Sequence, residues 1–280
     1  MNEHIEVGKI NQLEVNRESE YGLYLIAKDQ KEVLLPNRYV KKSISIGDII
    51  DVFIYTDSED RLVASTIYPE AMVDEFGYFE VVENKHYGSF VKWGLPKDLF
   101  VPLSQQKTHF EIGKKYILRV CLDSKTNRLY GSQRVGKWLS YKPQKMTKNQ
   151  KLKGLIISKT PMGYKVIVEN RYEGMLFDNE IFEKISIGEK RTLYLKKVRT
   201  DGKLDLLLQP IGQKSTSTLF EKKVIEKLKE KNGFIPLNSK SDSDKIQDTF
   251  GMSKKRFKGA INSLLEQNKI IFYENGIKLI

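Results

Sequence analysis

In two comparable segments of this chain, one aromatic ring stands a residue before a glycine and another two residues after it. These are Tyr21 and Tyr24 around Gly22, and Tyr87 and Phe90 around Gly88. A third glycine, Gly163, carries Met162 and Lys165 at the same offsets. We expect each pair to share one face of a strand. Flat rings on an exposed sheet stack unpaired bases, at about 1–3 kcal/mol per base. The alternative for any one ring is a half-buried place in a barrel wall. Around the second pair lie Lys85, His86 and Lys92, and cations beside rings favour the stacking reading.

The cations continue downstream. Between Asp123 and Glu169 there is no acidic residue, while eleven Lys or Arg occur. Among them are Lys125, Arg128, Arg134, Lys137, Lys151, Lys153, Lys159 and Lys165, interleaved with Trp138 and Tyr141. Arg199 joins them from a later turn. Charge that tracks a backbone, with rings to take the bases, suits a single strand. Lys254, Lys255, Arg256 and Lys258 open a helical segment near the end of the chain. With Phe257 and Ile261 turned inward, these cations face a phosphate backbone or simply a solvated surface. Arg256 has the chemistry to read guanine in a groove.

Catalytic patterns are absent. No GxSxG, HExxH, phosphate-loop or GxGxxG motif with a following acidic residue occurs, so no enzyme and no cofactor are expected. His4, His86 and His109 lack metal-ligand spacing. The single cysteine, Cys121, sits in the strand-like run LRVCLD, where a packed thiol is expected, and its solitude fits a reducing cytoplasm. No run of apolar residues reaches membrane-spanning length, and MNEHIEVGKI lacks the features of a signal peptide.

A repeat positions these residues. Gly22/Gly47, Gly88/Gly113 and Gly163/Gly188 are each 25 residues apart, and the first members are separated by 66 and 75 residues. Each copy holds about five short apolar runs, with hairpin-like turns TDSED, DSKTN and TDGK at matching places. Five strands in a unit this small predict an OB-fold barrel. The predicted organisation is barrels at 1–66, 67–137 and 150–212, a basic linker at 138–149, and a winged helix at 215–280. In that last part the period changes to about 3.6. Leu219, Val224 and Leu228 mark a first helix entered through Ser217 or Thr218, then come helices from Ser243 and Ser253, and KIIFYENGIKLI closes as a hairpin. The fold class is therefore mostly β with a small α/β tail.

Two resemblances follow from these segments. An aromatic residue, then Gly-x-[Phe/Tyr]-Val, then an apolar pair twelve and thirteen residues past the glycine resembles the S1 RNA-binding domain. That family often places a histidine at the next position, where this chain has Pro36, Pro102 and Phe177. GLPKDLFVPL from Gly94, RLYGSQ from Arg128 and FGMSKKRFKGAI from Phe250 resemble the conserved virulence factor B family. That resemblance implies tandem S1-like domains, a C-terminal winged helix, and RNA binding in the regulation of gene expression.

Charge divides the copies. The net charge of +12 is made of −4 over residues 1–66, +3 over 67–137, +8 over 138–214 and +5 over 215–280. The loops NRESEY and TDSED put Glu18, Glu20, Asp57, Glu59 and Asp60 where phosphate would be repelled, so the first barrel is expected to pack or to contact a protein. The expectation is a cytoplasmic, monomeric protein without membrane contact, whose partner is RNA, single-stranded by preference. The electrostatic track would run along the second barrel, the linker and the third barrel. Duplex DNA bound by the winged helix, or a non-catalytic scaffold on ribosome or polymerase, are the alternatives.

Overall fold

The computed structural model describes residues 1–143, 145–181, 183–211 and 214–280; at 179 and 214–219 the side chains lie outside the described set. The chain divides into two compact units, Met1–Leu139 and Ser140–Ile280.

The first unit holds two closed five-stranded barrels. The first is built from β1 (Ile10–Ser19), β2 (Gly22–Ile26), β3 (Glu32–Pro36), β4 (Ile49–Thr56) and β5 (Leu62–Ser65), closing in the order β1-β2-β3-β5-β4. Alternation sends Leu13, Val15, Leu23, Leu25, Val33 and Leu35 inward. The first glycine of the repeat is steric in origin. At Gly22 the backbone has φ +144°, and a Cβ there would stand 2.0 Å from the Leu35 carbonyl oxygen. Only a residue without a side chain lets the start of β2 approach β3 so closely.

The second barrel repeats the topology with β6 (Phe76–Lys85), β7 (Gly88–Lys92), β8 (Leu99–Pro102), β9 (Lys115–Leu122) and β10 (Leu129–Ser132). The two barrels pack on each other, with Phe53, Tyr55 and Val63 of the first belonging to the hydrophobic core of the second. The last half of β4 is buried on both faces. Val52 and Ile54 fill the first barrel, while Phe53 and Tyr55 pack with Trp93, Leu95 and Phe79 of the second. Phe53 meets Trp93 edge-on at 5.9 Å between ring centres, and the Trp93 indole N–H donates to the Lys97 carbonyl at 2.7 Å. A packed aromatic contact of this size holds the barrels as one unit.

The second unit starts with a third closed barrel, formed by β11 (Lys151–Thr160), β12 (Gly163–Val168), β13 (Tyr172–Phe177), β14 (Lys190–Val198) and β15 (Leu204–Leu207). The stretch read as a linker is not free chain from Ser140 onward. The Ser140 amide donates to the Arg171 carbonyl at 2.7 Å, and Met146 packs against the barrel core.

The winged helix follows as α1 (Lys214–Glu230), β16 (Phe234–Ile235), α2 (Ser243–Phe250), α3 (Lys254–Glu266), β17 (Ile270–Tyr273) and β18 (Gly276–Leu279). Its strands pair in the order β16-β18-β17. α1 begins at Lys214, before the expected Ser217 or Thr218; the Leu219 side chain lies outside the described residues, while Val224 and Leu228 are buried as read. Asp242 caps α2 by accepting from the Asp244 amide at 2.8 Å. α3 presents Phe257, Ala260, Ile261 and Leu264 to the core, where Phe257 stacks on Phe250 with centres 4.7 Å apart. Three barrels and a winged helix are thus the fold that the sequence predicts. Among the described residues no helix is long and apolar enough to cross a membrane.

Candidate nucleic-acid interface

The second barrel carries an open aromatic cluster. The tight turn between β6 and β7 leaves Tyr87 49% exposed, and β7 turns Phe90 to the same side. Their rings meet edge-on at 6.4 Å. The register places Phe90 opposite Phe100 of β8, with 5.3 Å between those rings and 5.7 Å from Tyr87 to Phe100. Phe100 is the ring that the sequence reading missed. Its signal in the sequence is the apolar pair after Gly88, which carries the S1 resemblance but does not reveal that the ring faces the cleft. A cleft of about 940 Å³ opens over these rings and reaches Tyr130 and Arg128.

The predicted cations of this barrel differ in how free they are. Lys92 and Lys125 are exposed, Lys92 at the end of β7 and Lys125 in the β9–β10 turn. Lys85 pairs with Glu83. The Arg134 Nε donates to the Ser104 carbonyl at 2.8 Å, with the residue still exposed. Lys137 lies 5.2 Å from the centre of the Trp138 ring. Trp138 itself departs from the expected stacking role. Its ring is half-buried against Arg119, whose guanidinium carbon lies 4.7 Å from the ring centre, so one face is taken by the protein.

Arg128 pairs with Asp60, which belongs to the β4–β5 loop of the first barrel. The same loop is pinned by Lys97, whose Nζ donates to the carbonyls of Thr56 at 2.9 Å and Asp57 at 2.7 Å. Burial pulls the Lys97 ammonium below its ordinary pKa. The acidic loop therefore stands at the rim of the aromatic cleft, with a carboxylate where a phosphate would otherwise meet Arg128. An exposed pair of this kind is worth about 0.2–1 kcal/mol. Asp60→Ala is accordingly expected to tighten binding of a short single strand by up to about fivefold. Fluorescence anisotropy checks this, and weaker binding by the variant would count against the competition.

The first barrel offers less. Tyr21 is exposed, but the Tyr24 ring is covered by the Arg17 guanidinium at 3.6 Å, and Arg17 is held by Glu32 at 2.7 Å.

In the second unit, Lys151 and Lys153 alternate outward on β11, and Lys165 is exposed on β12. Lys159 pairs with Asp178, which holds its ammonium above the ordinary pKa, and lies 4.2 Å from the centre of the Tyr164 ring. Arg199 pairs with Asp201 at 3.1 Å. On α3, Lys255 and Lys258 are exposed, while Lys254 is half-buried and donates to the Lys240 carbonyl at 3.3 Å. Arg256 is the correction on this helix. It faces the third barrel, donating to Glu180 Oε1 at 3.2 Å, an oxygen that also binds Lys196 at 2.6 Å. Its guanidinium lies 5.4 Å from the Phe220 ring centre. Position on the first turn of α3 aims this side chain back at a buried carboxylate, which no helical period reveals.

Comparison with known proteins bears on both ends of the chain. Residues 7–67 match the S1 domain model and residues 222–279 the CvfB-like winged helix domain model. A Staphylococcus aureus protein named conserved virulence factor B is 25% identical over 244 residues, covering 83% of this chain and 79% of that protein. Over most of its length the chain is similar to conserved virulence factor B. The Bacillus subtilis protein YitL is 28% identical over 271 residues, covering 94% of this chain and 90% of its own. A crystal structure of a multidomain protein with nucleic acid binding domains from Streptococcus pneumoniae shares 24% identity over 98% of both chains, with a TM-score of 0.42. The S1 and winged-helix domains mark a nucleic-acid-binding protein, and neither is a catalytic family. The S1 match falls on the first barrel, whose charge is the least suited to a polyanion.

Proposed function

We propose that the protein binds single-stranded RNA and through it regulates gene expression in the cytoplasm, acting as a monomer and without catalysis. The observation that carries this reading is the cluster of exposed Tyr87 and half-buried Phe90 and Phe100 that lines the open cleft. Three rings in mutual contact over an open cleft have no packing role for their outer faces and suit unpaired bases. Lys92, whose charge acts on the cleft residue Asp98, and the exposed Lys125, between the cleft residues Asp123 and Thr126, supply charge near the cleft. In the second unit Lys151, Lys153 and Lys165, and Lys255 and Lys258 on α3, add surfaces that attract phosphate without reading sequence.

A second reading, duplex DNA bound by α3, draws on the exposure of Lys255 and Lys258. It is weakened by Arg256, the one arginine on that turn, being committed to Glu180. Competition among single-stranded RNA, single-stranded DNA and duplex DNA for the purified chain separates the two. Single-stranded RNA is expected to compete best. Its affinity should fall by about 0.7 log units per phosphate contact for each log unit of salt. Stronger competition by duplex DNA, abolished by neutralising Lys255 and Lys258, would establish the second reading instead.

A further inference from the structure

The cleft over Phe90 and Phe100 contains a group that neither stacking nor phosphate attraction uses. Asp98, the residue before β8, lines this cleft together with Tyr87, Phe90, Phe100 and Tyr130. Its carboxylate has no hydrogen-bond or ion-pair partner among the described residues. The other carboxylates at the cleft differ in this respect, since Glu83 is paired with Lys85, Asp60 with Arg128, and Asp123 accepts from the backbone amides of Lys125 at 2.8 Å and Thr126 at 3.3 Å. Burial pushes the Asp98 carboxyl up, opposed by the charge of Lys92.

A partly desolvated acceptor without a donor is a free-energy cost that a ligand can remove. Phosphate cannot do so, because it carries no donor and the same sign of charge. The N–H edge of a stacked base can. Among RNA bases, guanine presents two adjacent donors, N1–H and the N2 amino group, which match the two oxygens of one carboxylate. Adenine and cytosine set a single amino group beside an acceptor nitrogen, and uracil flanks its one N–H with two carbonyls. We propose that Asp98 makes the aromatic cleft of the second barrel a guanine-selective subsite, with the base stacked on the rings and its N1–H and N2 amino groups donating to the carboxylate. This rests on the RNA-binding reading of the same cleft.

The test uses the full chain and short uridine oligomers carrying one central guanosine, inosine, adenosine or cytidine, read by fluorescence anisotropy. A bidentate pair discriminates by a free energy that corresponds to about tenfold or more. The guanosine oligomer is expected to bind about tenfold tighter than all-uridine RNA, with inosine, which lacks the N2 amino group, in between. Asp98→Ala and the isosteric Asp98→Asn should both flatten this order while the tryptophan fluorescence of the folded protein stays unchanged. Binding that needs Tyr87 and Phe90 but is equal for every central base overturns the guanine subsite and leaves RNA binding intact. Binding indifferent to Tyr87 and Phe90 overturns both.

Discussion

Tyr87→Ala combined with Phe90→Ala is expected to lower the affinity for single-stranded RNA by about 30-fold or more, from about 1–3 kcal/mol for each stacked base. Tyr87 is half exposed and Phe90 half-buried, so most of what truncation removes is outward ring surface. Phe100 remains, which keeps the loss short of complete. Truncating Phe90 also exposes part of the β7–β8 wall, and thermal unfolding of the variant shows whether the barrel survives. The matched control is Tyr21→Ala with Tyr24→Ala in the first barrel. Arg17 already covers Tyr24, so that pair should change affinity little. Equal losses from the two pairs would show that the rings of the second barrel have no special role.

The largest effect on stability should come from the repeat itself. Gly22→Ala puts a methyl group 2.0 Å from the Leu35 carbonyl oxygen on a backbone at φ +144°. Overpacking costs about 1–3 kcal/mol, and a backbone region reserved for glycine costs about 1–3 kcal/mol more. Together they predict a loss of about 3–5 kcal/mol. Gly47, its partner in the repeat, has φ +90° but nothing within 4 Å of an added Cβ. Gly47→Ala should therefore cost only the conformational strain, about 1–2 kcal/mol. Both tryptophans, Trp93 and Trp138, lie in the first unit, so their fluorescence during urea unfolding reports that unit alone. Indistinguishable midpoints for the two variants would refute a steric origin for the first glycine. At Gly163 the geometry recurs, with φ +142° and 1.9 Å to the Leu176 carbonyl oxygen, so the argument extends to the third barrel.

Relations along the strand were legible without coordinates. The glycine spacing, the alternation of apolar residues and the turn residues are local, and they specify strands, hairpins and barrels because each depends on neighbours a few residues away. The switch to a helical period identified the winged helix for the same reason. Relations across the strand were not. Phe100 joins Tyr87 and Phe90 only because β7 and β8 pair with Phe90 opposite Phe100.

By itself, then, the amino-acid sequence determined three glycine-punctuated barrels, a winged helix and the cationic bias of everything after residue 66. Which side chains remain available to a ligand was decided by tertiary structure. Folding put Arg17 over Tyr24, Arg119 over Trp138 and Arg256 onto Glu180, and brought Asp60 of one barrel to Arg128 of the next. The physical reason is reach: a long cationic side chain takes whichever ring or carboxylate packing brings within a few ångströms, and that neighbour is distant in the chain for three of these four pairs.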